Sequence, residues 1–201
     1  MTVLVAAGAG YLIGSVPTAV WLGRLWGVDL RRDGTGNPGA NNARSLGGYT
    51  LALLVLVVEI AKGLLAVVVG LGIADEPGAL AAGLAAVAGN VFNVWFGFQG
   101  GKGLGISGGV ILGLWPAAFP IVVLVIATAS ALTRSTGMGS LITVAVILVL
   151  ALVWEGLGID SSWGIDETGL LVVLVFGLGL IVGPRHWRDA RTRLSAPPFL
   201  G

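Results

Sequence analysis

The sequence contains no cysteine and a single histidine, and only 10% of its 201 residues are charged. Without cysteine there is no disulfide framework, no thiolate nucleophile and no Cys-ligated metal. With His186 as the one imidazole, a histidine-cluster metal site is excluded too. No Lys or Arg precedes Arg24, so the first apolar run lacks the positive n-region of a cleavable signal peptide. Residues 2–23 therefore read as a retained helix with its N-terminus outside. What fills the chain instead is apolar: 56% of residues are hydrophobic, 34 are glycine, and the mean hydropathy is +0.96. That composition belongs to a polytopic membrane protein. The formal net charge of +1 carries little information, because in such a chain the order of the charges matters more than their sum.

Apolar runs occupy 2–23, 49–73, 79–98, 104–132, 138–156 and 168–183. All but 104–132 are of roughly spanning length, about 17–25 residues. Arg24, Arg31, Arg32 and Arg44 follow the first run, Lys102 the third and Arg134 the fourth. Arg185, Arg188, Arg191 and Arg193 follow the last. Asp75, Glu76, Glu155, Asp160, Asp166 and Glu167 sit in the other gaps without a cation. The positive-inside rule makes the first group cytoplasmic and the second external. Lys102 and Arg134 can both be inside only if 104–132 crosses twice or re-enters, and Trp115-Pro-Ala-Ala-Phe-Pro120 supplies a break. The expectation is an all-α helix bundle with seven transmembrane helices, N-terminus out and C-terminus in. Two of these are short, at about 104–114 and 117–132. Residues 1–201 form a single membrane domain, with cytoplasmic loops 24–48, 99–103 and 133–137 and a cytoplasmic tail 184–201. Tryptophans near helix ends, such as Trp21, Trp26, Trp154, Trp163 and Trp187, read as an interfacial belt.

The polar residues gather on one face. Asp29-Leu-Arg-Arg-Asp-Gly-Thr-Gly-Asn-Pro-Gly-Ala-Asn-Asn-Ala-Arg-Ser-Leu-Gly47 places arginines, asparagines and glycines between long apolar stretches. Glycines let backbone N–H groups approach an anion, and Arg forks pair with phosphate or carboxylate. Gly34-Thr-Gly-Asn-Pro-Gly39 matches a dinucleotide G-x-G-x-x-G string, but no strand precedes it and the chain has no βαβ unit. What remains is an anion nest from Thr35, Gly36, Asn37 and Gly39, with Arg44 as cation and Asn41 and Asn42 in support. Gly97-Phe-Gln-Gly-Gly-Lys-Gly-Leu-Gly105 is a second such loop, opening into a helix whose N-terminal dipole favours anions. It is not a Walker motif, because Gly103 rather than Ser or Thr follows Lys102. Gly100, Gly101 and Gly103 would form its nest. Arg134, in Thr133-Arg-Ser-Thr-Gly-Met-Gly-Ser140, and the basic tail read equally well as anchors for head groups. Glu59 and Lys62 share a helical face within the second run; they are either a structural ion pair or the floor of a cavity beneath the loops.

Several strings occur in a telling order. Gly14-Ser15-x-Pro17 comes first, then Asp29-Leu-Arg31 with Gly34-Thr-Gly-Asn-x-Gly-Ala40, Asn41 or Asn42, and Arg44. Glu59-x-x-Lys62-Gly63, Gly89-x-x-Phe92, Phe98-x-Gly-Gly-Lys-Gly103 and Thr133-Arg134 follow. Together they resemble the acyl-phosphate:glycerol-3-phosphate acyltransferases of the PlsY type over almost the whole chain. The resemblance implies a seven-helix enzyme of the bacterial plasma membrane with its active site on the cytoplasmic face. Such an enzyme moves a fatty acyl group from acyl phosphate to the 1-hydroxyl of glycerol 3-phosphate, giving lysophosphatidic acid and phosphate in phospholipid synthesis. It implies Arg44 and Lys102 as the catalytic cations, and Thr35, Gly36, Asn37, Gly39, Asn41, Asn42, Gly100, Gly101, Gly103 and Arg134 as phosphate ligands. No cofactor, metal or nucleic acid is implied; the partners are the two substrates and membrane lipids, and no oligomeric state follows. The chain reads Gly89-Asn-Val-Phe-Asn93 where the family usually has Gly-His-x-Phe-Pro, and Gln99 where it has Lys. It is one residue short between Ala40 and Arg44, and its tail keeps only His186, out of register, and Arg193-Leu194. Two other readings stay open: a homologue that binds a phosphate-bearing lipid or metabolite without turnover, and a transporter.

Overall fold

Pro17 decides the form of the first span. It has no N–H to donate, and it pushes the residue before it out of the helical region. Val16 accordingly adopts φ −57°, ψ 124°, and the chain forms α1 (Thr2–Ser15) and α2 (Thr18–Leu25). The uninterrupted helix expected over 2–23 is thus corrected to a broken one. The computed structural model describes residues 1–159 and 169–194. The expected external acids Asp160, Asp166 and Glu167, with Trp163, and the last part of the tail, 195–201, lie outside the described residues.

The other helices are α3 (Ala40–Val91), α4 (Leu104–Leu114), α5 (Phe119–Thr133), α6 (Thr136–Gly156) and α7 (Gly169–Leu194). Among the described residues five helical stretches are long and apolar enough to cross a membrane: Thr2–Leu25, Ala40–Phe96, Pro116–Thr133, Thr136–Gly156 and Gly169–Thr192. The 52 residues of α3 would extend about 78 Å if straight, more than twice a hydrocarbon core of about 30 Å. The element instead folds back where Ala74 and Asp75 leave helical geometry. A Cβ added to Gly70 would fall on the carbonyl oxygen of Gly78, although residues eight apart in a straight helix are separated by about 12 Å. So α3 is a hairpin of two arms, 49–73 and 76–91, preceded by a short helical segment, 40–47, that ends at the non-helical Gly48. Pro77 sits in the first turn of the second arm, where a missing N–H costs little.

Small residues let these helices touch backbone to backbone. Gly10 and Gly14 of α1 meet Ala82 and Ala86, and Gly89 meets the Tyr11 carbonyl. Gly63 packs on Ile106, and Gly109 of α4 on Ile60. The break between α4 and α5 falls at Trp115-Pro116, followed by a single 3-10 turn, Pro116–Ala118. Trp115 is fully buried, with its ring edge-to-face on Trp154 at 5.5 Å, so this tryptophan belongs to a core and not to an interfacial belt. The chain divides into two units, Met1–Leu114 and Trp115–Gly201. Both glycine loops belong to the first.

Candidate functional site

The first loop, between α2 and α3, is polar but apolar-anchored. Leu30 is fully buried in a cluster with Ala19, Ala43, Leu51 and Val55. The Asp29 side chain accepts from Arg31 N–H at 3.0 Å, and the Asp29 N–H donates to Asp33 Oδ2 at 2.9 Å. Asn42 clamps the rest: its Nδ2 donates to the carbonyls of Leu30 and Asp33, each at 3.0 Å, and its Oδ1 accepts from Thr35 N–H at 2.8 Å. Gly34 must be glycine here, since φ is +61° and a Cβ would strike Asn42 Oδ1. Other N–H groups also close on the loop: Gly36 N–H on Asp33 O at 3.1 Å, Asn37 N–H on Thr35 Oγ1 at 3.4 Å, Gly39 N–H on Asn37 O at 2.8 Å. These hydrogen bonds are all made within the loop and the first turn of α3, and the Thr35 side chain is exposed.

Asn42→Ala is expected to cost about 2–3 kcal/mol, three buried or part-buried hydrogen bonds at about 1 kcal/mol each. Thermal unfolding and proteolysis of the 31–36 segment read this out. A midpoint within about 1 °C of the parent would show that the clamp is dispensable.

The second loop follows a helix end and a 3-10 turn, Val94–Phe96. Gly100 N–H donates to Val91 O and Gly101 N–H to Asn90 O, both at 3.0 Å, which folds the loop back against the end of α3. A Cβ on Gly100 would overlap Asn90 O, and one on Gly101 would lie 3.6 Å from Pro38 O. The two glycine loops are thus neighbours. Arg31 joins them a second time, with its guanidinium 3.9 Å from the centroid of the Phe96 ring. Lys102 is partly buried, and Gly103, at φ +80°, leads directly into α4, whose first-turn N–H groups face back toward the loop.

Between the loops lies a small cleft bordered by Pro17, Pro38, Glu59, Asn90, Phe96 and Gly101. Its floor is a buried polar network. Glu59 Oε1 accepts from Thr18 Oγ1 at 2.9 Å and from Lys62 Nζ at 3.1 Å. Glu59 Oε2 accepts from Lys62 Nζ at 3.2 Å and from Asn90 Nδ2 at 2.7 Å. The helix break at Val16-Pro17 releases carbonyls that a continuous helix would consume. Lys62 Nζ takes Val16 O at 2.8 Å, and Asn93 Nδ2 takes Ser15 O at 2.7 Å. Glu59 and Lys62 are an ion pair, and Glu59 of that pair borders the cleft.

The remaining expected residues divide as follows. Asn41 and Arg44 are exposed on the first turn of α3, and the Arg44 guanidinium lies 4.8 Å from the Tyr49 ring centroid. Gly48, at φ +77°, sets this short segment, 40–47, off from the arm that follows it. Arg134 is exposed at a left-handed turn between α5 and α6, in the second unit. Among the described residues no cluster of His, Cys, Asp or Glu could hold a metal ion. Asn90, Asn93 and Phe96 at the cleft have no conspicuous spacing in the sequence. The one signal that could have found Asn90 is that it lies one residue beyond Gly89 in a string noted for resemblance.

The family described as Glycerol-3-phosphate acyltransferase matches residues 4–196. A glycerol-3-phosphate acyltransferase of Symbiobacterium thermophilum is 38% identical over 189 residues, covering 93% of this chain and 88% of that protein. One from a Synechococcus species is 41% identical over 159 residues, covering 77% and 75%. The crystal structure of PlsY (YgiH), an integral membrane glycerol 3-phosphate acyltransferase in its glycerol 3-phosphate form, superposes with a TM-score of 0.81. At 24% identity, over 97% of this chain and 93% of that one, it shares the fold.

Proposed function

The chain belongs to the glycerol-3-phosphate acyltransferase family, and on that premise we propose that it transfers a fatty acyl group from acyl phosphate to the 1-hydroxyl of glycerol 3-phosphate. The observation that carries this reading is the meeting of two glycine loops at one cleft, with Lys102 in the second loop and Arg31 of the first stacked on Phe96 at the cleft's edge. The reaction asks little covalent chemistry of the protein. The acceptor hydroxyl oxygen attacks the acyl carbonyl carbon, the bond from that carbon to the phosphate oxygen breaks, and phosphate leaves with the electron pair. The hydroxyl proton passes to a substrate phosphate oxygen. The protein must hold two anions close together in a site of low water content, which takes Lys, Arg and helix N–H groups. Lys102 and Arg44 bind the two phosphates; Thr35, Asn37 and Asn41 support them. Gly36, Gly39, Gly100, Gly101 and Gly103 shape the loops, and Asn42 holds the first loop in place.

The same reading places seven crossings in a bacterial plasma membrane as one domain, with the N-terminus outside and the glycine loops on the cytoplasmic face. The acyl chain stays in or beside the bilayer. The test is phosphate release from acyl phosphate by the purified protein in lipid, with and without glycerol 3-phosphate. Release that depends on the acceptor is expected. Saturable binding of either substrate with no release would make this a binding protein on an enzyme's scaffold.

A further inference from the structure

We infer that Asn90 receives a hydroxyl group of the acceptor, and that the buried Glu59–Lys62 pair is the device that aims it. The inference rests on the acceptor being a polyol phosphate, as proposed above. Asn90 is the penultimate residue of α3, is partly buried, and borders the cleft. An asparagine amide can face its surroundings in either of two ways, donor or acceptor first. Here one way is enforced. Glu59 Oε2 is a carboxylate oxygen, an acceptor only, and Asn90 Nδ2 donates to it at 2.7 Å. Oδ1 is thereby turned away from Glu59 and toward the second loop, 3.1 Å from where a Cβ on Gly101 would stand. Among the described residues no donor reaches Asn90 Oδ1, while Lys62 and Thr18 supply the other hydrogen bonds of Glu59.

The cleft floor therefore offers a fixed neutral acceptor above a buried carboxylate. A phosphate, whose oxygens are acceptors, is unfavourable there on both counts. A hydroxyl, which can donate, fits. The side wall that would crowd such a group is missing because residue 101 is glycine. The acceptor then enters hydroxyl end first, with its phosphate held outward at the loop cations. Asn90 acts as a specificity-determining residue, Glu59 as the positioning residue behind it.

The experiment is a binding measurement by calorimetry on the full-length protein in nanodiscs, using glycerol 3-phosphate and methyl phosphate, which has the phosphate but no hydroxyl. The parent is expected to prefer glycerol 3-phosphate by about tenfold, the worth of one well-placed hydrogen bond. Asn90→Leu, similar in size and without the amide, is expected to erase that preference while leaving methyl phosphate affinity unchanged. Glu59→Gln, whose amide can serve Asn90 in either orientation, is expected to reduce the preference without removing it. Equal affinity of the parent for both ligands overturns the inference, as does a preference that survives Asn90→Leu. Loss of methyl phosphate affinity in that variant would assign Asn90 to loop architecture and overturn it equally. Because binding is read without turnover, a parent that prefers the polyol phosphate but releases no phosphate from acyl phosphate would refute the acyltransferase and leave this site standing.

Discussion

Lys102→Ala is expected to lower kcat/KM for phosphate release by about two to three orders of magnitude, the range seen when one preorganised charge-stabilising group is removed. The sequence holds two lysines, Lys62 and Lys102. Lys62 is committed to Glu59 and Val16 O within the buried network. Lys102 is the lysine of the glycine loops, in a segment fastened by Gly100 N–H to Val91 O and by Gly101 N–H to Asn90 O. Those bonds are made by backbone, so they survive truncation of the side chain, which removes the positive charge. Lys102→Arg restores charge but substitutes a planar fork for a compact ammonium, and only partial recovery is expected in a loop packed against backbone. Full turnover in Lys102→Ala would remove the second loop from the site.

Glu59→Leu should be the most destabilising single change in the first unit, by about 3–5 kcal/mol, because it strands the Lys62 ammonium in a site only 8% exposed. The same residue holds Thr18 and Asn90, so the helix break and the end of α3 lose their common partner. Glu59→Leu with Lys62→Leu is expected to recover a large part of the loss, since the cost lies in the unpaired charge more than in the missing attraction. Thermal or denaturant unfolding of the four proteins in lipid completes the cycle. A double variant as unstable as the sum of the singles would show that the pair is not coupled. Stability recovered in the double variant without the glycerol 3-phosphate preference would separate the structural duty of this pair from its aiming of Asn90.

Much of the fold is written locally. Hydropathy is additive along a chain, so the apolar runs and the polar island could be found residue by residue. The interruption at Trp115-Pro116 follows from a missing N–H, and α4 and α5 begin and end close to where that break implies. Pro17 carried the same signal, yet the run over 2–23 reads as one helix because hydropathy is blind to a break whose carbonyls are satisfied by distant side chains. The site was legible only in outline. Two glycine loops with cations were visible; that they adjoin through Pro38 and Gly101 was not. Arg31 stood in a string noted for resemblance, but nothing in the sequence put it on Phe96 beside the cleft.

The sequence by itself determined that this is a helical membrane chain of the acyltransferase type, where its polar segments lie, and which residue types they offer to a phosphate. Those are properties of composition and short-range order. Only the tertiary structure decided that Asn42 works inside its own loop, that the first helix breaks so that Ser15 O and Val16 O can be taken by Asn93 and Lys62, and that Asn90 stands between Glu59 and Gly101. Those partners lie 12, 78, 46 and 31 residues apart for the bonds of Asn42, Asn93, Lys62 and Asn90. A buried polar group must find a partner, but the chain's periodicity does not say which one; the close backbone crossings at glycine do, by bringing these segments within hydrogen-bonding reach.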